Sequence, residues 1–317
     1  MKKLIIALHL LLSFMLVINS CIKENDFPAP KTIYPGLHLP GKKPQVFAPG
    51  IVNTEDKIHS CVAIAPDGKE IYWSRFSTIS GISQERIWFI KFEDGTWTQP
   101  GLAPFSSEYR EGGPRFSHNG KRLFFTSCKP KHKNDETTDA NIWFVEKTED
   151  GWKAPIQLDS KINTEFQEWF PTIAKSGNIY YMFRGEEKNR LWDIYCSKFA
   201  NGKYSEPIKL GEEINTQYVD AFPFIDPDEK FLIFYSEKPG GFCEHGELYI
   251  SFKEKDGGWT NAKNLGKHIN RSFTRFPGIS PDRNFFFFSN LKDEKEILYW
   301  ADKSIIDKTQ GVEKFNF

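Results

Sequence analysis

The chain has 317 residues, and its 42 basic and 42 acidic side chains leave no net charge. A balanced surface lacks the broad basic field that neutralises phosphates, which excludes nucleic acid as an expected partner. Beyond residue 20 no apolar stretch approaches the roughly 18 residues needed to cross a bilayer, so the body is expected to be soluble and to meet a membrane only through its N-terminus.

Residues 1–20 have the form of an export signal, with Lys2 and Lys3 ahead of an apolar run from Leu4 to Val17. The run ends Val17-Ile18-Asn19-Ser20-Cys21, which resembles a bacterial lipobox and implies that Cys21 carries the lipid; an ordinary cleaved signal is the alternative. Ile22-Lys23-Glu24-Asn25-Asp26 resembles the surface-export signal of bacterial lipoproteins, and residue 22 is not the Asp that marks inner-membrane retention. The expectation is an outer-membrane lipoprotein facing the periplasm or the cell surface. Residues 21–44, with Pro28, Pro30, Pro35 and Pro40 and no periodicity, read as the tether. Residues 45–317 are left as one domain.

Within that domain one phrase returns five times: a tight turn followed by an aromatic strand ending near Ser. It runs Ala65-Pro66-Asp67-Gly68-Lys69 before Ile71-Tyr72-Trp73-Ser74, and Ser117-His118-Asn119-Gly120-Lys121 before Leu123-Phe124-Phe125-Thr126-Ser127. It then runs Ala174-Lys175-Ser176-Gly177 before Ile179-Tyr180-Tyr181-Met182-Phe183, Asp226-Pro227-Asp228-Glu229-Lys230 before Phe231-Leu232-Ile233-Phe234-Tyr235, and Ser280-Pro281-Asp282-Arg283 before Phe285-Phe286-Phe287-Phe288-Ser289. From Gly68 through Gly120, Gly177, Glu229 and Arg283 the intervals are 52, 57, 52 and 54 residues, a period that means stacked or radial units.

Each unit continues with a third strand, such as Asn141-Ile142-Trp143 or Asp193-Ile194-Tyr195, and a Gly-containing hairpin. A fourth strand is then expected to begin at Trp97, Trp152, Tyr204 and Trp259, three of them followed by Pro at an outer edge. Four short antiparallel strands make a propeller blade. The fifth unit stops after its third strand, while Phe47-Ala48-Pro49 looks like a fourth strand without its first three. The N-terminal strand is therefore expected to complete the last blade and close a five-bladed, all-β ring that leaves no open edge. Six blades would require another repeat of over fifty residues, for which no room remains.

These turns, the aromatic second strands and the Asp-Ile-Tyr-like third strands resemble the WD40-like propeller repeat of TolB-like proteins, over roughly residues 45 to 302. The resemblance implies a propeller. It leaves chemistry open, because such scaffolds serve binding proteins, peptidases and other enzymes alike.

The connections from second to third strands are the long ones, at Phe76 to Glu85, Cys128 to Ala140, Gly185 to Leu191 and Lys238 to Gly246. Their face of the propeller is the expected binding face. It also carries the start of each inner strand, where equivalent positions hold His59, Glu111, Glu168, Asp220 and Thr274. Arg75, Arg110, Arg115, Arg184 and Arg275 lie near this ring, as do Tyr109, Trp169, Tyr218 and Phe273. Three readings stay open for the acids. They hydrogen-bond backbone amides of the neighbouring blade; they form, with the arginines, His59 and Trp169, a site for a glycan, peptide or protein ligand; or Glu111, Glu168 and Asp220 act as glycosidase-like carboxylates. The binding reading, without catalysis, is the expected function. Nothing in the spacing of His and Cys residues suggests a metal or cofactor, and no Gly-x-Ser-x-Gly elbow is present. Cys61, Cys128, Cys196 and Cys243 are expected as free thiols, although export would permit disulfides.

Overall fold

The computed structural model describes residues 37–55, 59–79, 81–131, 139–185 and 191–307. Cys21 and the signal and most of the tether lie outside them. Five antiparallel sheets form a ring, each with its shortest strand outermost; in four of them the inner strand comes first in sequence. Blade one uses His59–Ile64, Glu70–Ile79, Ile82–Glu93 and Gly101–Leu102; blade two uses Glu111–Phe116, Arg122–Ser127, Asn141–Thr148 and Ile156–Gln157. Blade three uses Gln167–Ile173, Ile179–Arg184, Asp193–Ser197 and Ile208–Lys209; blade four uses Asp220–Ile225, Phe231–Ser236, Glu247–Phe252 and Lys263–Asn264. Blade five takes Thr274–Ile279, Phe285–Lys292 and Lys295–Asp302 from the C-terminal end and Gln45–Val46 from the N-terminal end.

That closure follows the sequence expectation. Gln45 pairs with Trp300 and Val46 with Tyr299, the Phe47 amide donates to the Leu298 carbonyl, and the Phe47 ring packs edge-on against Phe287 and Trp300 at 5.1 and 5.3 Å. The outer strands, however, begin later than expected. Thr96–Trp97, Gly151–Trp152 and Lys203–Tyr204 only extend the preceding hairpins, and the ladder resumes at Gly101, Ile156 and Ile208. Pro100, Pro155 and Pro207 have no N–H to donate, so each interrupts the strand instead of lying within it.

The second strands are apolar and aromatic through their centres because both faces are covered there. In blade five, Phe286 and Phe288 join the core shared with blade four while Phe285 and Phe287 join the core shared with blade one. The same alternation places Tyr72 against blade two and Ile71 and Trp73 against blade five. The result is one apolar cluster at each of the five blade interfaces.

The tight turns hold a residue in the left-handed region at Gly68, Gly120 and Gly177, where φ is 69, 69 and 90°. Glu229 and Arg283 occupy the same place at φ 56 and 61°, a conformation that is costly with a Cβ. Each also reaches back to the preceding blade. Glu229 accepts from the Tyr180 hydroxyl at 2.6 Å, and Arg283 pairs with Asp226.

The connection from Phe76 to Glu85 is not a loop but the end of a hairpin, with Phe76, Ser77, Thr78 and Ile79 paired to Glu85, Gln84, Ser83 and Ile82. Blade five has a similar extension, through Asn290, Leu291 and Lys292. The connection from Lys238 to Gly246 is irregular and anchored: the amides of Phe242 and Cys243 both donate to Glu247 at 2.6 Å.

Candidate functional site

Every inner strand carries a bulge two residues past the ring position, where the register to the second strand shifts. The bulged residue is left-handed in all five blades: Cys61, Gly113, Phe170, Phe222 and Phe276, with φ between 51 and 65°. Two of their amides reach the preceding blade, Gly113 N–H to Ser74 Oγ at 2.9 Å and Phe170 N–H to Thr126 Oγ1 at 3.0 Å. The three phenylalanines meet on the axis, with ring centroids 4.4 to 5.1 Å apart. Gly113 makes room for them, since a Cβ there would lie 2.7 Å from Phe170 Cδ1. The void that remains is about 10 Å³, too small for a ligand. This plug divides the channel into two mouths.

At the long-loop mouth the ring acids are held by the connectors that lead into their strands. Glu111 is 1% exposed and accepts from Ser106 Oγ, Ser107 N–H and Ser107 Oγ at 2.7, 3.0 and 2.6 Å. Glu168 accepts from Thr164 Oγ1 at 2.5 Å, and Asp220 from Thr216 Oγ1 at 2.8 Å and from the Thr216 amide. The expected bonds to a neighbouring blade's amides are therefore replaced by bonds to the connector just upstream of each acid. In blade five Thr274 donates to the Ser272 carbonyl and faces Asn290. His59 pairs with Arg75 in the backbone ladder, and its side chain lies outside the described part.

The connectors share a device that is visible in the sequence once the repeats are aligned. Ile162-Asn163-Thr164, Ile214-Asn215-Thr216, Ile269-Asn270 and Val52-Asn53-Thr54 end the approach to four of the inner strands. Their Asn side chains bracket the third strand of the preceding blade, accepting from and donating to Ile142, Ile194, Leu248 and Leu298 respectively. In blades three and four the Thr of this triplet then holds the acid four residues on.

Burial pushes the Glu168 carboxyl up to about 7, against the opposing pull of its Thr164 bonds, and it raises Asp220 as well. Among the described residues Glu168 Oε2 and Asp220 Oδ1 have no hydrogen-bond partner.

The arginines of this mouth lie on aromatic rings. Arg75 sits 4.2 Å over Trp88, Arg110 4.5 Å over Trp169, Arg184 4.5 Å over Trp192 and Arg275 4.2 Å over Phe273. Trp169 is itself buried, with its indole N–H bonded to Gln167. Two acids absent from the expected set anchor the arginines. Arg275 is bidentate to Glu296 at 2.9 Å on both nitrogens, and Arg110 lies 3.4 Å from Glu85. Burial raises both glutamates, and Glu85 is raised further by the charge on Glu296. Their only sequence signal is an acid near the start of a third strand.

The opposite mouth is different. A cavity of about 460 Å³ opens among the tight turns. Its walls are apolar, with Val62, Ile173, Phe224, Ile279 and Phe287, and its rim holds His118, Asp226 and Arg283. At its inner end, against the plug, lies Arg115, whose guanidinium donates to the carbonyls of Val62 at 2.8 Å and Pro277 at 2.6 Å. The sequence reading grouped Arg115 with Arg275. Counted from the ring position, Arg275 is one residue along its strand and Arg115 four, a difference of about 10 Å at 3.3 Å per residue, and the plug lies between them. Burial also lowers the His118 pKa, helped by the positive charge of Lys175 and Arg283.

Among the described residues no group of His, Cys, Asp and Glu is arranged to hold a metal ion. Cys61, Cys128, Cys196 and Cys243 are free thiols.

No protein-family model and no curated protein sequence matches the chain. Solved structures do. A glycoside hydrolase aligns with a TM-score of 0.55 at 10% identity, over 88% of this chain and 94% of its own. An endo-arabinase from Bacteroides thetaiotaomicron aligns at 0.53 and 13% identity, over 80% and 95%. TolB from Acinetobacter baumannii aligns at 0.47 and 14% identity over 81% of this chain, which spans only 54% of the TolB chain. At such identities the likeness concerns the scaffold alone: the chain is a five-bladed β-propeller, and its chemistry must be argued from its own residues.

Proposed function

We propose that the protein is a non-enzymatic recognition module of the cell envelope, lipid-anchored through Cys21, that binds a glycan, peptide or protein partner on its long-loop face. The observation that carries this reading is a set of apolar tips. Phe242, Leu291 and Ile82 are 62, 37 and 49% exposed, and they stand on the second-to-third connections of three consecutive blades: four, five and one. Apolar tips on two hairpins and on one connection anchored to Glu247 give a partner a surface that orders little on binding. The acids support the same reading. Carboxylates held by connector hydroxyls and amides serve the fold, whereas glycoside hydrolysis needs a pair flanking one bond.

The second reading is a carbohydrate-active hydrolase using Glu111, Glu168 and Asp220. One observation favours it: Glu168, raised to about 7 with one oxygen unpartnered, has the protonation a general acid requires.

A screen of the full chain against glycans and peptidoglycan fragments, run beside a chromogenic arabinofuranoside assay, separates the two. Retention without turnover, weakened by Phe242→Ser and Ile82→Ser, is the expected result. Hydrolysis that disappears in Glu168→Gln would replace this reading with the second.

A further inference from the structure

The tight-turn mouth has no part in the reading above. It combines a closed inner end, apolar inner walls and, at that inner end, the cation Arg115, with Arg283 and Lys303 also in the lining. Of the five N–H donors of the Arg115 guanidinium, two are engaged, each by a backbone carbonyl. Among the described residues no carboxylate is paired with it. The acids that share the cavity are bound elsewhere. Asp226 is held by Arg283 and by the amides of Asp228 and Lys230, and Asp282 by Ser280 and Asn284. Arg115 is half-buried, and a cation partly stripped of water against apolar walls is stabilised when an anion joins it.

We propose that this cavity binds an organic carboxylate with an apolar body, seated with its carboxylate on Arg115 and its body among Val62, Ile173, Phe224, Ile279 and Phe287. The volume of about 460 Å³ lies within the range of sites that enclose small molecules. The plug makes the cavity blind, so the ligand enters head first from the turn face and stops at the guanidinium. Remaining donors on the fork suit a planar carboxylate. Inorganic phosphate matches the charge but not the walls, because its other oxygens would lose their water. Burial pushes the Arg115 pKa down from its ordinary value, with only the Cys61 thiol acting in the opposite sense, and a bound carboxylate would relieve that penalty.

Isothermal titration of the full chain with 4-phenylbutyrate, its amide and inorganic phosphate tests the assignment. Saturable binding of the acid is expected, with the amide weaker by about tenfold or more, as the loss of a charge-assisted hydrogen bond implies. Phosphate should give no saturable heat. N-acetyl-Ala-Phe provides a second arm: tighter binding than phenylbutyrate identifies the ligand as a peptide C-terminus, and weaker binding identifies a free acid. Arg115→Met should abolish the preference for acid over amide. Because Arg115 also ties blade two to blades one and five, Ile279→Trp is the companion variant, filling the cavity while leaving the guanidinium in place; it should abolish binding in a protein that still melts cooperatively. Equal affinity for acid and amide, saturable phosphate binding, no heat from the acid at millimolar concentration, or unchanged binding in Ile279→Trp would each overturn the proposal.

Discussion

The two mouths of the channel are built from the same strands, yet they handle polar groups in opposite ways. At the long-loop mouth three buried carboxylates are matched, Glu296 by Arg275, Glu85 by Arg110 and Glu111 by two serines, while Glu168 and Asp220 hold one matched oxygen each. At the tight-turn mouth the half-buried guanidinium of Arg115 donates to two carbonyl oxygens and, among the described residues, to no carboxylate. The contrast teaches that the count of acids and arginines at a mouth says less than their pairing: the long-loop mouth meets its arginines with carboxylates, and the tight-turn mouth does not.

The comparison breaks most visibly at Arg275. Arg275→Met strands the Glu296 carboxylate, which is 1% exposed, and should cost about 3 to 5 kcal/mol in chemical denaturation. A loss below about 1 kcal/mol would mean that the matched mouth is not held by its ion pairs.

A second effect of nearly that size comes from protons. Glu168 keeps its proton up to about pH 7 in the native state, against a reference value of 4.5. Between those values the native state binds more protons than the unfolded one, so stability falls as pH rises, by about 3 kcal/mol in all. Asp220, Glu85 and Glu296 are also raised and act in the same sense. Melting temperature should drop from pH 5 to pH 7.5, and Glu168→Gln should flatten that slope; a wild-type profile that rises with pH would contradict the assignment.

Between the mouths, Gly113→Ala puts a Cβ at φ 65° and against the Phe170 ring. The left-handed conformation and the contact together should cost about 2 kcal/mol. Adding Phe170→Ala should leave only the backbone part, measured as non-additivity in a double-mutant cycle. The smallest effect is expected at the open mouth. His118→Ala, on the cavity rim, should change stability by less than about 0.5 kcal/mol, and a larger loss would show that this mouth too is structural.

Much of the fold was legible because it is written locally. Turn residues, alternating aromatics and a lone fourth strand at Phe47 are short-range signals, and their count closes the ring. What escaped depends on geometry that single positions do not carry. Phe170, Phe222 and Phe276 would not be assigned a left-handed backbone from residue preference, so the bulges and the plug were invisible, and with them the separation of Arg115 from Arg275. The acids were located but not their direction, which is set by a hydroxyl four residues upstream. That signal becomes readable only when the Ile-Asn-Thr triplets are aligned with the period. Pro100, Pro155 and Pro207 marked the outer edge correctly while shifting the strands beyond themselves.

The left-handed bulges have a consequence for how such a ring can vary. Each already turns its side chain to the axis, whatever that side chain is, and Cys61 and Gly113 stand where three other blades have Phe. The five positions therefore act as an iris. Replacing phenylalanines there by smaller residues would widen the bore stepwise, from a stopper to a through-pipe, at the cost of the contacts that Phe170 and Phe222 make with the core between blades four and five.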